Sequence, residues 1–198
     1  MGGSAQMIGG GLHTLDQDIT LALNGLHFAA GDHAWQLFSN VKVWIPLYII
    51  ILVYLFRKLG WKKGLIVLLS VVLTVVACDQ LGNLVKNAVE RLRPCYDARM
   101  VDSGLRILEK RGGFFGFYSA HAANAFGLAM CSCMGLRNDY KGSHRAYVSW
   151  IFVWATLVSI SRVFVGKHYF GDILAGALVG IIIGYILSLI AREAIHRL

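Results

Sequence analysis

The chain has 198 residues and a mass of 21.8 kDa; 57% of its residues are hydrophobic and only 15% are charged. A soluble domain carries about a quarter charged residues, so this composition excludes an ordinary soluble globule and points to a single integral-membrane domain over 1–198. The net charge of +8 would suggest nucleic acid in a soluble chain, but here Lys and Arg fall mainly in short loops between apolar runs, where they set topology and meet anionic headgroups; no nucleic-acid partner is implied.

Residues 1–40 form a mixed N-terminal region. Leu15, Ile19, Leu23, Leu26 and Phe28 recur at helical spacing, interrupted by Asp16, Asp18, Asn24, Asp32 and His33. This predicts one or two amphipathic helices on the membrane surface, broken at Gly31. Residues 41–198 form the helical core. The run Val43 to Phe56 is short against the roughly 20 residues a span needs. Extending it back through Leu37, with Lys42 snorkelling, makes it long enough and places Pro46 inside the helix as a kink. Arg57, Lys58, Lys62 and Lys63 form a tight basic loop, and Leu65 to Val85 is the second span. A polar stretch, 86–117, follows. Ser119 to Leu136, Tyr147 to Phe164 and Tyr169 to Ile190 are the third, fourth and fifth spans, the third and fourth separated by Arg137, Lys141, His144 and Arg145.

The fold class is therefore an all-α, polytopic membrane bundle of five spanning helices, or six if 12–38 also crosses. The basic segments 57–63, 137–145 and 191–198 share one side, which the positive-inside rule makes cytoplasmic. The loop 86–117 and the turn 165–168 then lie outside. That loop is also basic, with seven positive and four negative residues, and a bound polyanion accounts for this. The four cysteines, Cys78, Cys95, Cys131 and Cys133, have neither metal spacing nor a disulfide framework, and read as buried hydrophobes. Gly176, Gly180 and Gly184 recur every fourth residue in the last span and favour close helix contact within the protein over a dimer contact.

On the outer face the charged residues at span ends converge. Lys86 closes the second span, and Arg93 follows seven residues later, on the same side if the helix continues to Pro94. Asp79 extends this polar stripe inward as a partner for Lys86 or as a helix–helix hydrogen bond. Ser119 and His121 open the third span, Arg162 closes the fourth, and His168 and Asp172 open the fifth. His168 and Asp172 can touch if Asp172 lies in the first helical turn. Three cations, two histidines and a carboxylate suit phosphoryl transfer, which needs positioning and electrostatic stabilisation of three equatorial oxygens. Lys86, Arg93 and Arg162 could hold those oxygens, His168 could attack phosphorus with Asp172 orienting it, and His121 could protonate the leaving oxygen. The start of the third helix adds backbone donors near Ser119. A zinc site from His121, His168 and Asp172 is conceivable, but the three cations beside it argue against one.

The chain resembles the type 2 phosphatidic acid phosphatase superfamily. Lys86, six residues, then Arg93-Pro94 matches the first part of its signature. The second part, usually Pro-Ser-Gly-His, reads Tyr118-Ser119-Ala120-His121. The third, Ser-Arg, five residues, His, three residues, Asp, is met by Ser161-Arg162, His168 and Asp172. The resemblance implies phosphate binding by Lys86, Arg93, Ser119 and Arg162, acid catalysis by His121, a phosphohistidine at His168, and no metal or other cofactor. Ala120 adds a methyl where glycine is usual, which could crowd the phosphate or narrow the substrate range. The expected activity is hydrolysis of a lipid phosphate or diphosphate whose tail stays in the bilayer, on the outer face of a bacterial cytoplasmic membrane. Candidate substrates are undecaprenyl diphosphate, phosphatidylglycerol phosphate, phosphatidate and lipid A phosphate. The alternative is a catalytically weak lipid-phosphate binding or transport protein. The sequence leaves the oligomeric state open, a monomer included.

Overall fold

The computed structural model describes residues 3–26, 29–139 and 142–198; Phe28 and Lys141 lie outside them. The described residues are helical with connecting turns: α1 Gly3–Gly25, α2 Ala29–Ser39, α3 Ile45–Val89, α4 Ala98–Asp102, α5 Ala120–Leu136, α6 Arg145–Phe164 and α7 Phe170–His196. Helix α3 is two helices joined at Gly60, whose φ of 74° is accessible to glycine at little cost. The chain reverses there: a methyl on Gly64 would lie 3.3 Å from the Phe56 Cα, whereas residues eight apart in a straight helix are about 12 Å apart. The two halves of α3 match the first two expected apolar runs. Pro46 falls in the first turn of α3, where its missing N–H costs nothing, and so it starts the helix instead of kinking it.

Among the described residues, three segments are long and apolar enough to cross a membrane: Val41–Val89, Arg145–Phe164 and Phe170–His196. The expected third span appears as α5, a shorter helix of 17 residues at the centre of the bundle, packed by α3, α6 and α7. The molecule is thus an all-α, multi-pass membrane bundle with at least three spanning segments. Small residues set the α5–α7 contact. Methyls on Gly176 and Gly180 would collide with the carbonyl oxygens of Ser119 and Ala123, and one on Gly184 would lie 2.7 Å from the Gly127 oxygen. The glycine stripe therefore serves packing inside the chain. Leu59, Leu136 and Ile195 share one apolar core, so the Gly60 turn, the end of α5 and the end of α7 lie at one pole of the bundle. The segment 90–119 and the α6–α7 turn occupy the other.

The N-terminal helices differ from expectation. Gly31 lies inside α2, so it is not the helix breaker. In α1 the most deeply buried residues are polar: Gln17, Thr20 and Asn24 face the protein with Leu21 and Leu23 partly buried beside them, while Leu12 and Leu15 are 64% and 54% exposed. The reason is that α1 satisfies two other helix ends. The Asn24 amide donates to the Val163 and Phe164 carbonyls at the end of α6, both at 3.0 Å. Thr20 Oγ1 accepts from Phe170 N at 3.0 Å, and Asp16 Oδ1 from Gly171 N at 2.7 Å, at the start of α7. Such groups otherwise need water or capping side chains.

Candidate active site

The site forms where α5, α6 and α7 meet the segment 90–119. Helix α3 ends at Val89, and Glu90, at φ 53°, caps it by donating to the Lys86 oxygen at 3.0 Å. Arg93 is therefore not brought in by a continued helix. An antiparallel bridge places it: Arg93 N donates to Phe114 O and Gly116 N to Arg91 O, both at 2.9 Å, with Leu92 opposite Phe115. In extended backbone alternate residues share a face, so Arg91 and Arg93 point the same way. Arg93 Nε also donates to Phe115 O at 3.2 Å.

The turn between α6 and α7 is closed on a single acceptor, the Arg162 carbonyl, which takes Lys167 N at 2.9 Å and His168 N at 3.2 Å. His168 thus precedes α7, and Asp172 lies in its first turn, where Oδ2 accepts from Tyr169 N at 3.0 Å. His168 Nδ1 is 3.4 Å from the same Oδ2. Asp172 is wholly buried and His168 only 3% exposed. Burial pushes the His168 pKa down to about 4, against the raising effect of Asp172 and with the charges of Arg162 and Arg93 lowering it further. At neutral pH the imidazole is neutral and can act as a nucleophile. Ser119 N donates to the Asp172 carbonyl at 3.0 Å, which locks the start of α5 to the start of α7.

His121 stands in the first turn of α5. Arg162, His168, Arg93 and Lys86 all lie within electrostatic reach of its ring, so these expected residues converge. Arg162 is buried. Its Nη1 donates to Ser39 Oγ and lies 3.4 Å from Glu109 Oε2, while its Nε has no partner among the described residues. His121 lines two cavities. One, about 580 Å³, is polar and opens past Lys42, Glu109, Lys110 and Arg162. The other, about 500 Å³, is apolar and runs between Trp44, Tyr48, Val75, Leu128 and Trp154. His121 sits on the boundary between the polar and the apolar cavity. Among the described residues no three His, Cys, Asp or Glu side chains gather as metal ligands.

A family model for the PAP2 superfamily matches residues 59–195. The chain belongs to the PAP2 superfamily. The lipid A 4′-phosphatase of Bacteroides thetaiotaomicron is 34% identical over 189 residues, 94% of this chain and 81% of the relative. That of Porphyromonas gingivalis is 31% identical over 172 residues, 86% and 70% of the two chains. In fold, the chain is similar to the crystal structure of a transmembrane PAP2-type phosphatidylglycerolphosphate phosphatase from Bacillus subtilis, with a TM-score of 0.70 and 21% identity, over 92% of this chain and 87% of that one. The LpxE protein of Aquifex aeolicus is similar with a TM-score of 0.62 and 23% identity, over 87% and 93%. The chain is a lipid phosphatase of the PAP2 superfamily.

The second motif departs from its usual form at Tyr118 and Ala120. Tyr118, in place of proline, turns inward and donates to the Cys78 carbonyl at 2.9 Å. Ala120 lines the apolar cavity. Ser119 caps α5, its hydroxyl accepting from Ala122 N at 3.4 Å. Asp79 accepts from Asn124 Nδ2 at 2.9 Å, which is the helix–helix alternative of the two expected for it. Sequence reasoning missed four residues here. Ser39 and Glu109 hold Arg162 and come from distant segments with no spacing signal. Lys167 is buried, its Nζ donating to the Lys110 carbonyl and, at 2.9 Å, to that of Arg111; burial and then Arg93 lower its pKa. Arg91 was legible in principle: reading Arg91-Leu92-Arg93 as extended puts both arginines on one face.

Proposed function

We propose that the chain removes a phosphate from a lipid A-type glycolipid, the 4′-phosphate monoester being the first candidate, in two steps through a phosphohistidine. The observation that carries the reading is a buried, neutral His168 beside Asp172, gathered with Lys86, Arg93 and Arg162 around His121, which itself lies between a polar cavity shared with Arg162 and an apolar one. Two relatives with lipid A 4′-phosphatase names, aligned over most of this chain, favour that substrate over an isoprenoid diphosphate, phosphatidylglycerol phosphate or phosphatidate.

In the first step a ring nitrogen of His168 forms a bond to phosphorus as the bond to the leaving oxygen breaks. His121 gives that oxygen a proton, and the lipid alcohol departs into the apolar cavity. In the second step water attacks the phosphohistidine, His121 takes its proton, and inorganic phosphate leaves with His168 regenerated. Lys86, Arg93 and Arg162 bear the charge of the equatorial oxygens, with the Ser119 turn adding backbone donors. No metal or cofactor takes part. Both halves of α3, together with α5, α6 and α7, make five crossings of a bacterial cytoplasmic membrane in one domain, with the site on the outer face and α1 and α2 at the membrane surface.

The test is phosphate release in detergent micelles with EDTA present, comparing wild type with His168→Ala on lipid A 4′-phosphate, undecaprenyl diphosphate, phosphatidylglycerol phosphate and phosphatidate. The expected outcome is EDTA-resistant release, fastest from lipid A, and a fall of at least about 10⁴-fold in the variant. Release abolished by EDTA, or retained by His168→Ala, would overturn the mechanism; a faster rate on another lipid would reassign the substrate.

A further inference from the structure

Arg91 occupies one of the six unspecified positions of the first motif, yet through it the N-terminal helix reaches the reaction centre. Its Nη1 donates to Asp172 Oδ1 at 2.7 Å and its Nη2 to Asp16 Oδ2 at 2.6 Å. The guanidinium lies 4.0 Å from the centroid of the Tyr169 ring, and His13 Nδ1 is 3.2 Å from Nη2. Asp16 is itself fixed, since its Oδ1 accepts from Gly171 N at 2.7 Å. The fit allows little movement: a methyl on Gly171 would lie 2.7 Å from Asp16 Oδ2.

Asp172 has two oxygens and each has a defined task. Oδ2 faces Tyr169 N and His168 Nδ1, and Oδ1 is taken by Arg91. Rotating the carboxylate would break a charge-assisted bond, the strong kind, so Oδ2 stays aimed at the imidazole. We infer that Arg91 and Asp16 are positioning residues for the nucleophile, forming with Asp172 and His168 a line of side chains by which α1 fixes the imidazole; this rests on the reading of His168 as nucleophile. A planar fork is required because one side chain must span two carboxylates while lying flat on a ring, which a lysine cannot do.

The test uses the full chain in detergent, with wild type, Arg91→Ala, Arg91→Lys and Asp16→Asn assayed on lipid A 4′-phosphate. Arg91→Ala should lower kcat about 100-fold, the scale of an ångström-sized misplacement, with KM changed less than about threefold. Arg91→Lys should recover little of this, and added guanidinium at millimolar concentration should restore part of the Arg91→Ala rate. Asp16→Asn should cost about tenfold, and much less once Arg91 is gone. A second readout needs no turnover: the His168 signal of ¹³C-histidine-labelled protein, identified by its absence from His168→Ala. Removing the cation that shares Asp172, in surroundings that include His13, Asp16, Arg93, His121 and Arg162, should raise the His168 pKa by about one unit. An unchanged kcat, a loss wholly in KM, or no guanidinium rescue together with an unmoved His168 titration would overturn the inference. Should wild type release no phosphate, the functional reading falls, and the titration alone decides this one.

Discussion

Arg91 and Arg162 both meet carboxylates near the candidate site, but their surroundings differ. Arg91 has both terminal nitrogens on acids, at 2.7 and 2.6 Å, and its flat face on Tyr169. Arg162 spends Nη1 on Ser39 and, more loosely, on Glu109 at 3.4 Å, and its buried Nε has no partner among the described residues. A buried guanidinium nitrogen without an acceptor is costly unless an anion arrives to take it. On the proposed mechanism the saturated arginine would belong to the scaffold of His168 and the unsaturated one would receive the phosphate. The state of an arginine's partners, more than its burial, is then what would separate positioning from binding.

The largest effect should come from breaking the saturated side at its centre. Asp172→Asn keeps the shape, removes the charge that Arg91 and His168 both use, and presents an amide donor toward one of them. By analogy with other carboxylate–histidine pairs, kcat should fall by about 10³- to 10⁴-fold. The assay is phosphate release by the folded variant, with folding checked by its thermal transition in detergent. A loss under tenfold would mean that the carboxylate does not orient the ring.

A smaller effect is expected on the unsaturated side, and in the opposite direction. Glu109 is partly exposed and presents a carboxylate where an incoming phosphate oxygen would compete for Arg162. Glu109→Gln keeps the hydrogen-bonding shape toward Ser39 but removes the competing charge. Inorganic phosphate, assayed as a competitive inhibitor, should bind about threefold more tightly, in line with the modest strength of a partly exposed ion pair. Weaker binding would place Glu109 among the groups that help to hold phosphate.

The motif residues were legible because their spacing reflects which helix ends must meet. Lys86, His121, Arg162, His168 and Asp172 all come to one pole without any adjustment to the reading. What was hidden is how they are held there. Arg93 looked like a continuation of a helix, because a seven-residue interval suits two turns; a left-handed Glu90 and the bridge to Phe115 place it instead. Helix α1 reads as amphipathic, because its leucines recur at helical spacing. Periodicity finds an apolar stripe but does not say which side faces the protein, and in α1 Gln17, Thr20 and Asn24 dock most deeply, with Leu21 and Leu23 partly buried beside them and Leu12 and Leu15 exposed. The glycine stripe of α7 was legible as a close contact, since small residues at that period have few other uses inside a membrane.

The smallest and most specific test concerns pH. His168 is faced by Asp172 from α7, Arg162 from α6, His121 from α5 and Arg93 from the bridge, and burial outweighs the carboxylate, leaving its pKa at about 4. In the unfolded chain a histidine titrates near 6.5, roughly the unperturbed value. Below that pH the unfolded state binds a proton that the folded state refuses. The sign follows: stability associated with the neutral ring is fully present above about 6.5 and is lost as pH falls from there toward about 4. The thermal transition of wild type should therefore drop more steeply between those pH values than that of His168→Gln, which has no ring to protonate. The same depressed value keeps the His168 ring neutral at pH 5, so, if His168 is the nucleophile as proposed, an acid limb of kcat/KM assigned to it should lie near 4. A limb near 6.5 that disappears from the stability difference as well would show that the imidazole is hydrated and open, and that the tight setting made by Asp172 and Arg91 is not what the substrate meets.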